Sequence, residues 1–169
     1  MRTVKLLIAH CSLLIALCAC GFSPMYSTDK DAGVAVHHDI FIAPISGTNG
    51  IDLRNALRAK FGTDNDSASA KYLLTVDLQQ PATIFKALQK TGDATWQEVR
   101  LTARYELRES ATGNVIVKAT DTASESYTFV RDLVAAQASY NNAVRNATRM
   151  LSEKISTRVN AKLVSKQQN

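Results

Sequence analysis

Cysteine is scarce in this chain and is confined to one end. Only three of the 169 residues are cysteine, namely Cys11, Cys18 and Cys20. A chain whose few cysteines lie so close together cannot build a disulfide framework. The sequence therefore excludes the class of small disulfide-stapled secreted domains, and the role of these thiols must be sought at the N-terminus.

Long apolar runs are also lacking, since none is long enough to span a bilayer comfortably. The segment Leu6–Leu17 is mostly apolar, follows Arg2 and Lys5 and precedes small residues, which is the layout of a secretory signal peptide. It ends in Leu17-Cys18-Ala19-Cys20, where an aliphatic and a small residue precede a cysteine, as in a lipobox. Cleavage before Cys18 instead would put a leucine where a small residue belongs.

Removal of residues 1–19 would leave Cys20 as the only cysteine of the mature chain. Lipid attachment explains this isolated thiol, so we expect a diacylglycerol group and an N-linked acyl chain on Cys20. Several acyl chains anchor a protein far more firmly than one. Because Gly21 follows, and no aspartate signals retention at the inner membrane, we expect the outer membrane, facing the periplasm. The alternative is an ordinary secreted protein with incidental cysteines near its cleavage site.

The mature chain has no large excess of either charge and no recognisable catalytic motif. It has 18 basic and 15 acidic residues, a net charge of +3, which is too weak to indicate nucleic acid but compatible with an anionic lipid or glycolipid. There is no GxSxG, phosphate-binding loop or HExxH motif. His37 and His38 are adjacent, so on a strand they would point to opposite faces and could not chelate one metal. We therefore expect no enzyme, no metal and no catalytic residue.

The first half of the mature chain predicts a tether, a strand and a helix. Residues 20–35 show no sustained periodicity and are interpreted as the tether. The β-branched residues of Val36–Ile45 predict a short edge strand. The pattern of residues 49–61 predicts a helix that Asn49 caps and that ends at Gly62.

A second strand and an ambiguous segment follow. Alternation through Tyr72–Gln79 predicts a strand that ends or bends at Pro81. Residues 84–88 can continue the same ladder, and Thr91-Gly92-Asp93 predicts a turn.

The clearest pattern is a hairpin of two strands. Alternation is strongest over Val99–Leu107 and resumes over residues 115–120. A three-residue loop, 111–113, would place Gly113 in the left-handed conformation and Ser110 opposite Asn114. One register places apolar residues opposite apolar residues and an acid opposite a base. In it, Leu107 lies opposite Val117, Tyr105 opposite Ala119, and Glu106 opposite Lys118.

The last third predicts one long helix that starts between Thr128 and Val134. Its apolar stripe, at steps of three or four, is Tyr140, Val144, Ala147, Leu151, Ile155, Val159 and Leu163. A lone helix with this narrow stripe would be marginal, so it should lie on the sheet, and its basic side chains are interpreted as a solvated face. We predict a single α+β domain over residues 36–165, followed by a tail of 166–169. Its two helices would pack on one face of a four-stranded, mostly antiparallel sheet in the order β-α-β-β-β-α.

A row of arginines is the main candidate for a binding site. Arg100, Arg104 and Arg108 share the face of their strand that points away from the helices, with Trp96 further along it. Guanidinium groups bind phosphates bidentately, and an indole can lie against sugar or acyl chain. We expect these residues, with Lys118 of the next strand, to contact lipopolysaccharide or a barrel wall; the alternative is a solvated face that Glu106 partly neutralises.

The head of the mature chain resembles that of a known family. Residues 20–26, Cys-Gly-Phe-Ser-Pro-Met-Tyr, are similar to the Cys-Gly-Phe-x-Pro-Leu-Tyr start of the alphaproteobacterial lipopolysaccharide-assembly lipoprotein family LptE, with Met25 in place of leucine. The segments 100–113 (RLTARYELRESATG) and 143–159 (AVRNATRMLSEKISTRV) also look similar. The resemblance covers nearly the whole mature chain.

The resemblance implies a non-enzymatic scaffold. Such a protein would form a 1:1 complex with the outer-membrane β-barrel LptD, plug its lumen, assist its assembly and bind lipopolysaccharide on its way to the cell surface. One alternative function is an auxiliary lipoprotein of a phospholipid transporter of the ABC type. Another is a lipid-anchored periplasmic hydrolase, which would need a pocket that joins Asp77 or Glu98 to a histidine.

Overall fold

A computed structural model of the protein describes residues 39–62, 67–88 and 95–167. Its elements follow in the order β1 (Ile40–Ile42), α1 (Thr48–Phe61), β2 (Tyr72–Leu78), β3 (Ala82–Leu88), β4 (Thr95–Glu109), β5 (Val115–Phe129) and α2 (Leu133–Gln167). The predicted α+β class is confirmed, but the sheet has five strands instead of four because the residues beyond Pro81 form a strand of their own. No helix within these ranges is both long and apolar enough to cross a membrane.

Strand β4 is the centre of the sheet. Strand β5 pairs antiparallel along one edge of it, while β2 and β3 lie end to end along the other edge, also antiparallel. Pro81, which has no N–H for the ladder, lies between β2 and β3. This confirms that the strand over residues 72–79 ends before Pro81 and that residues 84–88 continue the same ladder. The edge strand β1 pairs parallel with β2 over Ile40–Ile42. Of the predicted Val36–Ile45, residues 36–38 lie outside the described residues, and residues 43–45 are not part of the strand.

Both helices pack on one face of the sheet, as predicted. The odd-numbered side chains of β4 from Val99 to Leu107 are buried on that face. Against them pack Leu53, Leu57 and Phe61 of α1 and the α2 stripe, of which Val144 to Leu163 are buried. Burying each such side chain stabilises the fold by roughly 1.5–3 kcal/mol. The even-numbered side chains point to the opposite face, which no element in the described part of the chain covers.

The start of α1 differs from the prediction. Gly47, not Asn49, precedes the first helical turn, and no side chain caps it. Gly47 has φ 81°, a conformation that favours glycine, and the chain enters the helix there, two residues before Asn49. The entry is tight, since a Cβ atom on Gly50 would stand 2.8 Å from the carbonyl oxygen of Ile45. The predicted left-handed end is confirmed, since Gly62 has φ 61° and ψ 31° and its N–H donates to the Arg58 carbonyl.

The hairpin between β4 and β5 keeps the predicted register but not the predicted loop. All three predicted pairs occur, and Gly113 has φ +72°. However, the register shifts after Leu107, so Arg108 pairs with Val115 and the N–H of Glu109 donates to the Asn114 carbonyl at 2.9 Å. The predicted opposition of Ser110 and Asn114 is therefore wrong: a β-bulge absorbs one extra residue on β5.

Strand β5 is longer than the predicted 115–120. Asp121 and Glu125 face the helices, where an apolar residue would have continued the pattern. The buried Asp121 carboxylate accepts a hydrogen bond of 2.6 Å from the Tyr105 hydroxyl and one of 2.8 Å from Arg158 of α2. A buried carboxylate is tolerated when it is paired in this way.

Helix α2 begins at Leu133, within the predicted interval. The Asp132 carboxylate accepts a hydrogen bond of 2.9 Å from the N–H of Ala135, which satisfies one of the free donors of the first turn. The helix crosses β5 and β4 and also packs against α1. The apolar stripe of α2 therefore covers the core along the helix-facing side of the sheet.

Candidate binding face

The predicted arginine row lies on the uncovered face of the sheet. The side chains of Arg100, Arg104 and Arg108 are exposed there, and Trp96, at the end of the same row, is 49 % exposed. Lys118 of β5 joins them, because it is paired with Glu106 across the two strands. The structure thus brings all five predicted contact residues to one face.

Carboxylates neutralise most of this row. The Nη2 atom of Arg100 lies 2.9 Å from Glu98 Oε1. Glu106 serves two cations, since it forms an ion pair with Arg108 and lies 3.5 Å from Lys118 Nζ. Because exposed pairs of this kind contribute only about 0–1 kcal/mol to stability, their main effect is to reduce the positive potential at Arg100 and Arg108.

Arg104 is the exception in the row. Among the residues that the structure describes, it makes no hydrogen bond or ion pair, although Asp77 of β2 is its cross-strand partner. It borders an open depression of about 410 Å³, which is lined by Thr75, Val76, Asp77, Arg104, Tyr105, Glu106, Lys118, Ala119 and Thr120. Two cations with neighbouring hydroxyl groups can bind a phosphate and the sugar that carries it.

Several large apolar side chains are exposed at one end of the domain, and of these the sequence pattern predicted only Trp96. Phe85, Trp96, Phe129, Leu133 and Val134 are 42–80 % exposed at the end where β3 and β5 finish and α2 begins. Their exposure could not be predicted from the sequence, because an apolar residue at the end of a strand or helix is equally compatible with a buried position. Of these residues, only Trp96 shares the face of the arginine row. Phe85 pairs with the buried Gln97, and Phe129 and Leu133 line one depression with Tyr127 and Tyr140, so these three lie on the helix-facing side of the sheet.

Beneath the uncovered face lies the paired group Tyr105–Asp121–Arg158. Burial and the hydrogen bond to Asp121 raise the pKa of the Tyr105 hydroxyl far above its ordinary value. Burial alone would raise the pKa of Asp121, but the hydrogen bonds from Tyr105 and Arg158 outweigh burial and lower it. All three groups are paired with one another, so the cluster is a structural tie between sheet and helix.

Other predicted chemistry falls partly outside the described residues. Cys20, His37 and His38 lie before residue 39, so their geometry stays a prediction. Within 39–62, 67–88 and 95–167, no group of three or more histidine, cysteine or carboxylate side chains could hold a metal ion. Asp77 and Glu98 lie on the uncovered face, where they neighbour the arginines.

Comparisons with known proteins identify the family. The family model described as LptE: Lipopolysaccharide-assembly matches residues 38–159. A search of curated protein sequences finds no match.

Solved structures share the fold at low identity. A Caulobacter crescentus protein named as a lipoprotein is 17 % identical, with a TM-score of 0.60 over 75 % of this chain and 92 % of that one. A minor lipoprotein of Acinetobacter baumannii is 22 % identical, with a TM-score of 0.56 over 75 % and 94 %. A hypothetical protein of Chlamydia trachomatis is 11 % identical, with a TM-score of 0.55 over 75 % and 97 %.

The family match, the α+β fold and the uncovered sheet face agree with the resemblance first noted in residues 20–26. The family consists of non-enzymatic lipoproteins of the outer membrane that act in lipopolysaccharide assembly. With well over half of its residues matched, the chain belongs to the LptE lipopolysaccharide-assembly family.

Proposed function

We propose that the protein is anchored to the outer membrane through lipid on Cys20, with residues 1–19 removed. It plugs the β-barrel LptD in a 1:1 complex, assists the assembly of that barrel and helps to deliver lipopolysaccharide to the cell surface. Family membership supports this role.

The observation that carries the ligand assignment is the unpaired Arg104. It shares its depression with Lys118, while Glu98 and Glu106 hold the flanking arginines. Lipopolysaccharide is an amphiphile with phosphates on its sugars. The site offers cations for the phosphates, and the exposed indole of Trp96 on the same face offers a surface for acyl chains.

The barrel partnership is tested by pulling down the tagged mature lipoprotein from outer membranes. A single large β-barrel in near-equal amount is the expected result. Inner-membrane transporter subunits, or no partner at all, would contradict the proposed role. Replacing Cys20 by serine should release the protein into the soluble fraction and abolish labelling with radioactive palmitate; if labelling persists, the anchor lies elsewhere.

The ligand site is tested by comparing two arginines that differ in their pairing. Arg104→Gln should weaken lipopolysaccharide binding by roughly ten- to a hundredfold, because a charge-assisted contact to phosphate is worth about 1.5–3 kcal/mol. Arg100→Gln is the matched variant and should have a smaller effect, since Glu98 already neutralises Arg100. Equal effects of the two substitutions, or none, would rule out Arg104 as the main phosphate contact.

A further inference from the structure

The charges of the domain are divided unequally between its two layers. Helices α1 and α2 carry nine lysine and arginine residues and only two carboxylates, Asp52 and Glu153, a net charge of +7. The five strands carry five basic and six acidic residues, a net charge of −1. The strongly basic surface is therefore the outer surface of the two helices, which we call the helix layer, and not the arginine row.

The cations of the helix layer are exposed and regularly placed. Those of α2 recur every four residues in two rows, one of Arg145 and Arg149 and the other of Lys154, Arg158, Lys162 and Lys166, and all six are exposed. Glu153, the only acid of α2, is shared between Arg149 at 3.2 Å and Lys60 of α1 at 3.7 Å. Arg145 and Lys162 form no ion pair within the described ranges. Two acids of the sheet, Asp121 and Glu109, pair with Arg158 and Lys166 and lower the excess charge of the layer from +7 to +5. The outward positive charge of α2 therefore rests mainly on Arg145, Arg149, Lys154 and Lys162.

We propose that the helix layer docks on an acidic protein surface. This inference rests on the proposed function, under which that surface is the lumen wall of the barrel. The plug would then turn its helices to the wall and leave the sheet face, with Arg104, to the lipopolysaccharide path. A net charge of +7 on one layer is complementary to a wall that is rich in carboxylates, and barrel interiors are polar.

A lipid surface fits the helix layer less well. Helices that lie on membranes insert an apolar face between the headgroups. The apolar stripe of α2 is instead buried on the sheet, and along the basic part of the layer only Ile51 and Val164 are large exposed apolar residues. Two separate apolar side chains do not form the continuous apolar face with which such a helix enters a bilayer.

The test is charge reversal in the full lipidated protein. The variant combines Arg145→Glu, Arg149→Glu and Lys162→Glu, which lowers the charge of the helix layer from +7 to +1. None of the three side chains packs in the core. We expect at least a tenfold fall in barrel recovered with the lipoprotein, because three attractions become repulsions. A matched control carries Arg145→Lys, Arg149→Lys and Lys162→Arg, which keep the charge, and it should recover the barrel fully.

The outcomes separate this inference from the proposed function. If the wild-type protein recovers the barrel and the reversed variant does so equally, the helix layer is not the docking face although the function stands. If the wild-type recovers no barrel, both fail. Binding of the unlipidated Cys20→Ser chain to vesicles that contain phosphatidylglycerol is measured alongside, because acyl chains would hold the lipidated protein on any vesicle. If charge reversal abolishes that binding but not barrel recovery, a lipid surface is the partner and the inference is wrong. Should the reversed variant melt at lower temperature than wild type, the triple glutamine variant replaces it, with an intermediate loss expected.

Discussion

Replacing Asp121 by alanine should destabilise the domain more than any other single change on the β5 strand, because one carboxylate ties sheet to helix. Asp121 is 8 % exposed and accepts hydrogen bonds from the buried Tyr105 hydroxyl and from Arg158. The substitution leaves the buried Tyr105 O–H without the carboxylate that accepts its hydrogen bond.

The magnitude follows from the two partners. A hydrogen bond to a charged group contributes about 1.5–3 kcal/mol, and an unpaired buried hydroxyl costs about 1–3 kcal/mol. Arg158 is half-exposed and recovers its solvation in water, so it adds little to the loss. We therefore expect Asp121→Ala to lower the free energy of unfolding by roughly 2–4 kcal/mol.

Urea denaturation of the chain with Cys20→Ser, followed by circular dichroism, measures this loss. Thr120→Ala, at an exposed neighbouring position, is the control and should change stability by less than about 0.5 kcal/mol. Adding Tyr105→Phe to Asp121→Ala should restore about 1 kcal/mol, because the orphaned hydroxyl is then removed. A loss below about 1 kcal/mol in Asp121→Ala, or a further loss on adding Tyr105→Phe, would refute the reasoning.

Three further predictions concern the same architecture. Hydrogen bonds hold the pKa of Asp121 below its ordinary value of 3.8, so the stability that this carboxylate contributes is present above that pH and is lost as pH falls through the folded-state pKa. Urea titrations from pH 6 to pH 2.5 should therefore show the difference in unfolding free energy between wild type and Asp121→Ala becoming smaller. A constant difference would contradict this prediction. Gly50→Ala should cost about 1–3 kcal/mol in thermal or urea unfolding, since its Cβ would meet backbone atoms of Ile45 at 2.8–2.9 Å, whereas Ala56→Gly on the same helix should cost only about 1 kcal/mol. Trp96 is the only tryptophan and is half-exposed, so lipopolysaccharide should shift its fluorescence emission to shorter wavelength; an unchanged spectrum at saturating ligand would show that the apolar end is not covered.

The candidate site was only partly predictable from the sequence. That Arg100, Arg104 and Arg108 share an exposed face follows from the period of two in a strand, which is a local property. Their availability for a ligand is local only in part. Glu98 and Glu106, which pair with Arg100 and Arg108, lie two residues away on the same strand. Asp77 instead comes from a strand distant in the sequence, and it lies opposite Arg104 without pairing with it.

By itself, the sequence determined the elements whose stability comes from near neighbours. These are the β4–β5 register, where only one alignment matches apolar with apolar and Glu106 with Lys118, the stripe of α2, and the end of α1 at Gly62. Tertiary structure alone decided the second half of β5, because the buried Asp121 breaks the apolar pattern and is tolerated only where Tyr105 and Arg158 reach it. It also decided which surface is strongly basic. Ion pairs between neighbours on β4, Glu98 with Arg100 and Glu106 with Arg108, neutralise much of the arginine row, and these lie within a local pattern. Packing both helices on one face sums their charges, which no local pattern contains.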